Sequence, residues 1–158
     1  MTQTCSIRPA AADDEAFLIA STRRLADFPL PAWRTADDIA QADRGILRAA
    51  LCGTLEGAVI LVAELARGGE RAGYVFATTQ HDYFTREPHA HVEVLVVEPA
   101  AEGRGVARAL MAAIEQWARD RGIGVITLNV FDRNTRARDL YDRLGYARET
   151  IHYRKALS

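Results

Sequence analysis

The sequence predicts an α/β fold in which a mixed sheet carries helices on both faces. Segments with strand-like alternation are interspersed with segments whose apolar residues recur at helical spacing, in the order β, α, α, β, β, β, α, β, α, β. A chain of 158 residues with 49% hydrophobic residues can also bury one good core. Residues 1–158 are therefore predicted to form a single domain.

The first half of the chain contains a predicted hairpin that follows two helical segments. The predicted elements are a strand at 4–8, helices at 12–28 and 35–52, and strands at 56–65 and 71–79. Thr35 can cap the second helix, because its side-chain oxygen can accept a hydrogen bond from a free N–H of the first turn. Gly68 and Gly69 separate the two later strands, which predicts an antiparallel hairpin.

The second half alternates strands and helices. The predicted elements are a strand at 89–97, a helix at 105–121, a strand at 125–131, a helix at 134–144 and a final strand at 148–157. The first of these helices has the clearest pattern, since Val106, Leu110 and Ile114 share one face. Asn134 or Thr135 can cap the second. This order predicts two β-α-β crossovers.

The turn before the helix at 105–121 is the most informative segment, and it predicts a phosphate site. The first N–H groups of a helix have no intrahelical partner and lie at the positive end of its dipole, while Gly103 and Gly105 allow a ligand to approach the backbone. A P-loop would need a lysine that this turn lacks. A dinucleotide-binding reductase is also disfavoured, because Arg108 stands where that fingerprint requires glycine.

Further motifs follow in a fixed order around this turn. The fourth strand runs into Val96-Val97-Glu98-Pro99, and the turn places Gly105 and Ala107 at its small-residue positions. Residues 134–146 then read Asn-x-x-Ala-x-x-Leu-Tyr-x-x-x-Gly-Tyr. Together these segments resemble the GCN5-related N-acetyltransferase (GNAT) family, and the resemblance covers roughly residues 89–157.

The resemblance implies an acyl-CoA N-acyltransferase-like fold, a mixed, mostly antiparallel sheet of about six or seven strands flanked by about four helices. In this fold the fourth and fifth strands begin paired and then splay apart to admit the pantetheine arm. The implied donor is acetyl-CoA and the implied acceptor is a primary amine of a small molecule or protein. The implied cofactor-binding residues are Leu95, Val96, Val97, Glu102, Gly103, Arg104, Gly105, Val106, Ala107, Arg108, Asn129, Asn134, Ala137 and Tyr141.

Two side chains are candidates for proton transfer. Tyr141 holds the tyrosine position of the last motif, where it would protonate the departing thiolate, unless it is only a core tyrosine. Glu93 is an acidic residue in an apolar strand, which suggests a base for the incoming ammonium or else a solvent-facing carboxylate. His89 and His91 alternate onto the same face as Glu93, so either histidine could act as the base instead.

A metal site is the weaker interpretation of the same segment. Imidazole and carboxylate suit zinc or iron, and His89-x-His91 could chelate. Further ligands would have to come from a loop that contains His81. We therefore expect no metal, and the acceptor pocket is predicted to be built from residues 28–33, 81–88 and the last strand.

Glu102 departs from the family pattern, which has arginine or glutamine at this position. Its carboxylate should repel a pyrophosphate. If the carboxylate points into solvent, Arg104 and Arg108 could supply compensating positive charge. Glu102→Gln is therefore expected to tighten acetyl-CoA binding. The departure also keeps open an alternative function, a non-catalytic acyl-CoA-binding sensor or interaction domain.

Charge and hydropathy restrict the partners. The formal net charge of -1 gives no general attraction to nucleic acid or to an anionic membrane. We find no apolar run long enough to span a bilayer and no secretion signal at the start of the chain, so a cytoplasmic location is expected. The resemblance implies a possible homodimer.

Overall fold

In the computed structural model, which describes residues 5–66 and 68–157, five strands form one mixed sheet in the order β1-β2-β3-β4-β5. The strands are β1 (Cys5–Pro9), β2 (Val59–Leu65), β3 (Arg71–His81), β4 (Pro88–Val97) and β5 (Ile126–Leu128). Neighbouring strands are antiparallel except β4 and β5, which are parallel. The predicted fold class and hairpin are confirmed, with fewer strands than predicted. Thr4 and Arg67 of the predicted segments lie outside the described residues.

Four α-helices flank the sheet, as predicted. They are α1 (Glu15–Ser21), α2 (Ala36–Leu51), α3 (Val106–Arg119) and α4 (Thr135–Arg143). Thr35 caps α2 by accepting a hydrogen bond from the backbone of Asp38. The segment predicted as one helix at 12–28 is instead divided, because 3-10 segments at Ala12–Asp14 and Thr22–Ala26 flank α1. In the described part of the chain, none of the helices has the length and apolarity needed to cross a bilayer.

The sheet buries a separate apolar cluster on each face. Successive residues of β3 point to opposite faces, so Val75 packs with Leu110 of α3, whereas Phe76 packs with Leu47 of α2. All four side chains are almost completely buried, and burying each contributes about 1.5–3 kcal/mol. The two clusters fix α3 on one face and α1 and α2 on the other.

The predicted final strand at 148–157 is absent, because this segment has no strand pairing in the structure. Its apolar residues Ile151, Tyr153 and Leu157 are 80%, 87% and 86% exposed. Alternation gives a segment strand propensity, but a strand is stable only when a neighbour supplies hydrogen bonds and a packing surface. The strand at that edge of the sheet, β5, is three residues long. The second predicted β-α-β crossover is therefore wrong.

The parallel strands β4 and β5 separate soon after they pair. Their register runs only from Ala90, opposite Ile126, to Val92, opposite Leu128. The strand β4 then continues to Val97, while β5 ends. Pairing thus ends part-way along β4, as the family resemblance implies, and a cleft lies along the second half of β4.

Candidate active site

A β-bulge places Glu93 at the start of this cleft. On the β3 side, Val92 pairs with Ala77 and Val94 pairs with Phe76, so Glu93 is the extra residue. Its Oε1 atom accepts hydrogen bonds from the Thr78 hydroxyl at 2.7 Å and from the Gln80 amide at 2.9 Å. These two donors hold the carboxylate in one orientation beside the cleft.

The open edge of β4 follows the bulge and begins with Leu95. Because Val96 pairs with Tyr74 and Glu98 donates to the Ala72 carbonyl, the backbone groups of Val96 face β3. Those of Leu95 and Val97 consequently face the side on which β5 has ended. An extended amide-containing chain can pair with such an edge. The side chain of Val96 is buried in the cluster beneath α1 and α2.

A cavity of about 160 Å³ occupies the cleft. Both predicted proton-transfer residues, Glu93 and Tyr141, line it, together with four of the predicted cofactor residues. Its lining residues are Leu25, Ile39, Asp43, Val92, Glu93, Leu95, Asn129, Val130, Phe131, Asn134, Ala137 and Tyr141. None of the residues at 28–33, 81–88 or 148–157, from which the acceptor pocket was predicted, is among them.

Tyr141 reaches the cavity from α4. Its ring packs edge-on against Tyr146 at a centroid distance of 5.8 Å, and it borders the cluster on the α3 face. Burial raises the pKa of Tyr141 to about 12, so its hydroxyl stays protonated at neutral pH. The N-terminus of α4 is fixed by Asn134, whose Oδ1 accepts a hydrogen bond from Ala137 N at 3.2 Å.

Asp43 is a cavity residue that the sequence analysis missed. It lies on α2 and faces the cleft from the side opposite α4. Burial, followed by the negative charge of Glu93, raises the pKa of Asp43 to about 6. The signal was present in the sequence, because Asp43 falls four residues after Ile39 and four before Leu47, on the apolar stripe of the helix.

His91 connects β4 to the chain that leaves β5. Its Nδ1 atom lies 2.7 Å from the Thr127 hydroxyl, and its Nε2 atom lies 3.4 Å from the side-chain nitrogen of Asn129. Burial is the largest cause that lowers the pKa of His91, which favours the neutral ring. If Asn129 donates to Nε2, the ring must donate from Nδ1, so His91 helps to position Asn129 at the cavity.

The glycine turn has the geometry of an anion site. Gly103 and Gly105 adopt positive φ angles of 71° and 78°, which glycine tolerates far better than other residues. Gly105 is the N-cap residue of α3 and supplies no capping side chain, so the first amides of the helix stay available. Val106 is buried, whereas the side chains of Arg104 and Arg108 are exposed beside the turn.

Glu102 forms ion pairs with two arginines and so does not project freely into solvent. Its Oε1 atom contacts the guanidinium groups of Arg24 and of Arg136, the latter at 2.8 Å. These partners, with the Arg136 hydrogen bond as the largest contribution, lower the pKa of Glu102. Arg24 also donates to the Val97 carbonyl at 3.3 Å. The negative charge that the sequence places beside the turn is therefore offset within the protein.

Two other features of the molecule do not form a reaction site. Within residues 5–66 and 68–157, no group of three or more His, Cys, Asp or Glu side chains is arranged to hold a metal ion. A second hollow of about 190 Å³ is lined only by apolar residues such as Pro9, Leu51 and Ile60. None of its lining side chains carries a polar group that could take part in a reaction.

Sequence comparisons point to acetyltransferases. A mycothiol acetyltransferase of Salinispora tropica is 35% identical over 147 residues, covering 92% of this chain but 44% of the relative. The chain thus spans about half the length of that protein. An aminoglycoside N(6')-acetyltransferase type 1 of Stenotrophomonas maltophilia is 40% identical over 70 residues, covering 42% of this chain and 44% of the relative.

Solved structures share the fold. The aminoglycoside acetyltransferase AAC(6')-Iy, in complex with a bisubstrate analogue, superposes with a TM-score of 0.70 at 23% identity, covering 98% of this chain and 100% of the other. AAC(6')-Ih from Acinetobacter baumannii gives a TM-score of 0.71 at 16% identity, covering 98% and 99%. The family model for the GNAT acetyltransferases matches residues 21–146. The chain therefore belongs to the GNAT family of acetyltransferases.

Proposed function

We propose that the protein transfers the acetyl group of acetyl-CoA directly to a primary amine. The observation that carries this proposal is the single cavity that joins Glu93, the free edge of β4 after Leu95, and Tyr141. A base, an amide-binding edge and a protonated phenol are the groups that such a transfer requires. The amine belongs to a small molecule or to a protein.

The donor lies between the glycine turn and α4. Amides at the start of α3 bind its pyrophosphate, with Gly103, Gly105 and Ala107 allowing close approach. Its pantetheine arm pairs with the open edge at Leu95 and Val97, as an added strand would. This arrangement brings the thioester to the part of the cavity that Tyr141 lines.

The reaction then needs three proton transfers and no covalent enzyme intermediate. Glu93 takes a proton from the acceptor ammonium, directly or through a water, and the neutral nitrogen attacks the thioester carbon. A C–N bond forms, the C–S bond breaks, and the thiolate takes its proton from the Tyr141 hydroxyl. The nitrogen then loses its second proton, which restores the Tyr141 hydroxyl, and Glu93 releases its proton to solvent. Holding both substrates in line supplies about 7–11 kcal/mol in favourable model reactions, so positioning carries much of the catalysis.

Tyr141→Phe tests the role of the acid. We expect kcat for amine-dependent thiol release to fall about 100-fold, within the usual range for general acid catalysis. The affinity for acetyl-CoA, measured by calorimetry, should change little because the ring still packs. Tyr146→Phe is the matched control, since it removes a hydroxyl from the neighbouring ring that bonds only Glu115. Equal kcat values for the two variants would contradict the role.

The same assay separates an enzyme from a sensor. The proposal predicts that acetyl-CoA binds and that a panel of primary amines releases CoA thiol with matching amounts of acetylated amine. Tight binding of acetyl-CoA without any product would instead support the alternative, a non-catalytic acyl-CoA-binding domain.

A further inference from the structure

The cavity has an acidic end that the chemistry described so far does not use. Asp43 approaches it from α2, and burial and the charge of Glu93 are the only influences that shift the pKa of Asp43. Among the described residues, neither an arginine nor another side-chain donor contacts its carboxylate. Glu93, in contrast, is held by Thr78 and Gln80.

The charge of the cavity is unbalanced. Its lining contains two carboxylates, Asp43 and Glu93, and no basic side chain. Two like charges in a partly buried space repel each other more strongly than they would in water. A positive group in the cavity would relieve this repulsion, and the neutral pantetheine arm of the donor cannot supply it.

The layout of the helices determines which substrate meets Asp43. Tyr141 belongs to α4 and borders the cluster on the α3 face, whereas α2 packs on the opposite face of the sheet. The cavity passes between these faces where β4 and β5 separate. Because the donor occupies the end near Tyr141, the acceptor must enter from the end that Asp43 lines.

We infer that Asp43 binds a second, non-reacting ammonium group of the acceptor, so that the preferred substrates carry at least two amino groups. One amine loses its proton beside Glu93 and is acetylated. The other keeps its charge, lies against Asp43 and orients the molecule. This inference rests on the proposed function, and it makes Asp43 a residue that determines which acceptors are preferred.

Asp43→Asn is the direct test, with thiol release measured for a linear primary diamine and for the monoamine of equal length. The loss of a charge-assisted hydrogen bond should raise KM for the diamine about 10- to 100-fold. KM for the monoamine should change less than about 3-fold, since it lacks the second ammonium. Asp37→Asn is the matched control, because Asp37 is exposed on the same helix.

Calorimetry of the diamine with the CoA-bound protein supplies a readout independent of turnover. Loss of diamine binding in Asp43→Asn supports the inference even if the wild type acetylates nothing, in which case only the proposed function fails. Suppose that the wild type turns over and that Asp43→Asn changes KM equally for the diamine and the monoamine, or for neither. The inference is then overturned, while the proposed function stands. Unaltered diamine binding in Asp43→Asn also overturns it.

Discussion

Two aspartates, the fully buried Asp14 and the half-buried Asp43, lie in opposite electrostatic surroundings. Asp14 is completely buried and accepts hydrogen bonds from Arg8 at 2.7 Å and from Arg71 at 2.6 Å. These contacts, that of Arg8 above all, hold its pKa far below the usual range. Asp43 has no such partner among residues 5–66 and 68–157, and its pKa rises to about 6. The fold thus neutralises the carboxylate that ties strands together and leaves the one in the cleft uncompensated.

This difference distinguishes charged groups that hold the fold together from charged groups that are available to a ligand. Arg8 of β1 and Arg71 of β3 converge on Asp14, which also accepts a hydrogen bond from Ala11 N at 2.8 Å. This network crosslinks the edge strand β1 and the central strand β3 with the turn that precedes α1. A buried carboxylate without a protein cation costs stability, and a ligand that brings the cation can restore it.

The largest expected effect is on folding stability in Asp14→Asn. The variant loses the carboxylate charge that two guanidinium groups share, although Arg8 keeps its ion pair with Glu64 and Arg71 keeps its ion pair with Asp13. We expect this loss to cost about 2–4 kcal/mol. The lower part of the range applies if Arg8 and Arg71, each about one-third exposed, regain water. Urea unfolding at neutral pH measures the loss.

The matched control for this variant is Asp13→Asn, because Asp13 is exposed and its single ion pair with Arg71 is 3.2 Å long. Its cost should stay below about 1 kcal/mol. Equal losses in the free energy of unfolding for Asp13→Asn and Asp14→Asn would show that the buried network stabilises the fold no more than an exposed ion pair does. The effect of Asp14→Asn should also vanish in acid, since the stability from a lowered pKa is lost as pH falls below the ordinary aspartate value of 3.8.

The next largest effect concerns Asp43, whose contribution to stability depends on pH in the opposite direction to that of Asp14. Because the folded-state pKa of Asp43 is raised, the folded state favours its protonated form, and this contribution is lost as pH rises from 3.8 to about 6. Asp43→Asn should therefore be more stable than the wild type at pH 7, and equally stable near pH 4. A rise in pKa from 3.8 to about 6 corresponds to about 3 kcal/mol of folding stability at neutral pH. We expect a stability difference of about half this value, because water in the open cleft screens the charge.

Urea unfolding of the ligand-free proteins between about pH 4 and 7 checks this difference. The Asp37→Asn control keeps Asp43 and removes one negative charge from the same helix, so any stability change that it shares with Asp43→Asn comes from net charge alone. A wild type that equals Asp43→Asn in stability at every pH would show that the carboxylate of Asp43 is already compensated.

The smallest expected effect is on acetyl-CoA affinity in Glu102→Gln. The carboxylate of Glu102 pairs with Arg24 and Arg136, so its removal releases positive charge beside the glycine turn. We expect affinity to rise about 3-fold at low salt and the gain to fade at high salt. Glu115→Gln, near the C-terminal end of α3 and so away from the glycine turn, is the control. Weaker binding by Glu102→Gln would mean that the ion pairs position the turn.

The sequence predicted best what depends on neighbours along the chain. The helix at 105–121 is observed as α3 because its apolar period is local, and Asn134 caps α4 as its residue type suggests. The prediction of a strand at 148–157 was wrong because strand formation depends on a partner far away in sequence. The partners of Glu102 were hidden for the same reason, since Arg24 lies 78 residues before it.

The most direct measurement is product formation by the wild-type protein with acetyl-CoA and a primary diamine. Mass spectrometry of the amine and a thiol assay should report equal amounts of acetylated diamine and free CoA, with no release when the amine is omitted. Acetyl-CoA that binds tightly while every amine remains unmodified would contradict the proposal that the cleft between β4 and β5 is a site of acetyl transfer.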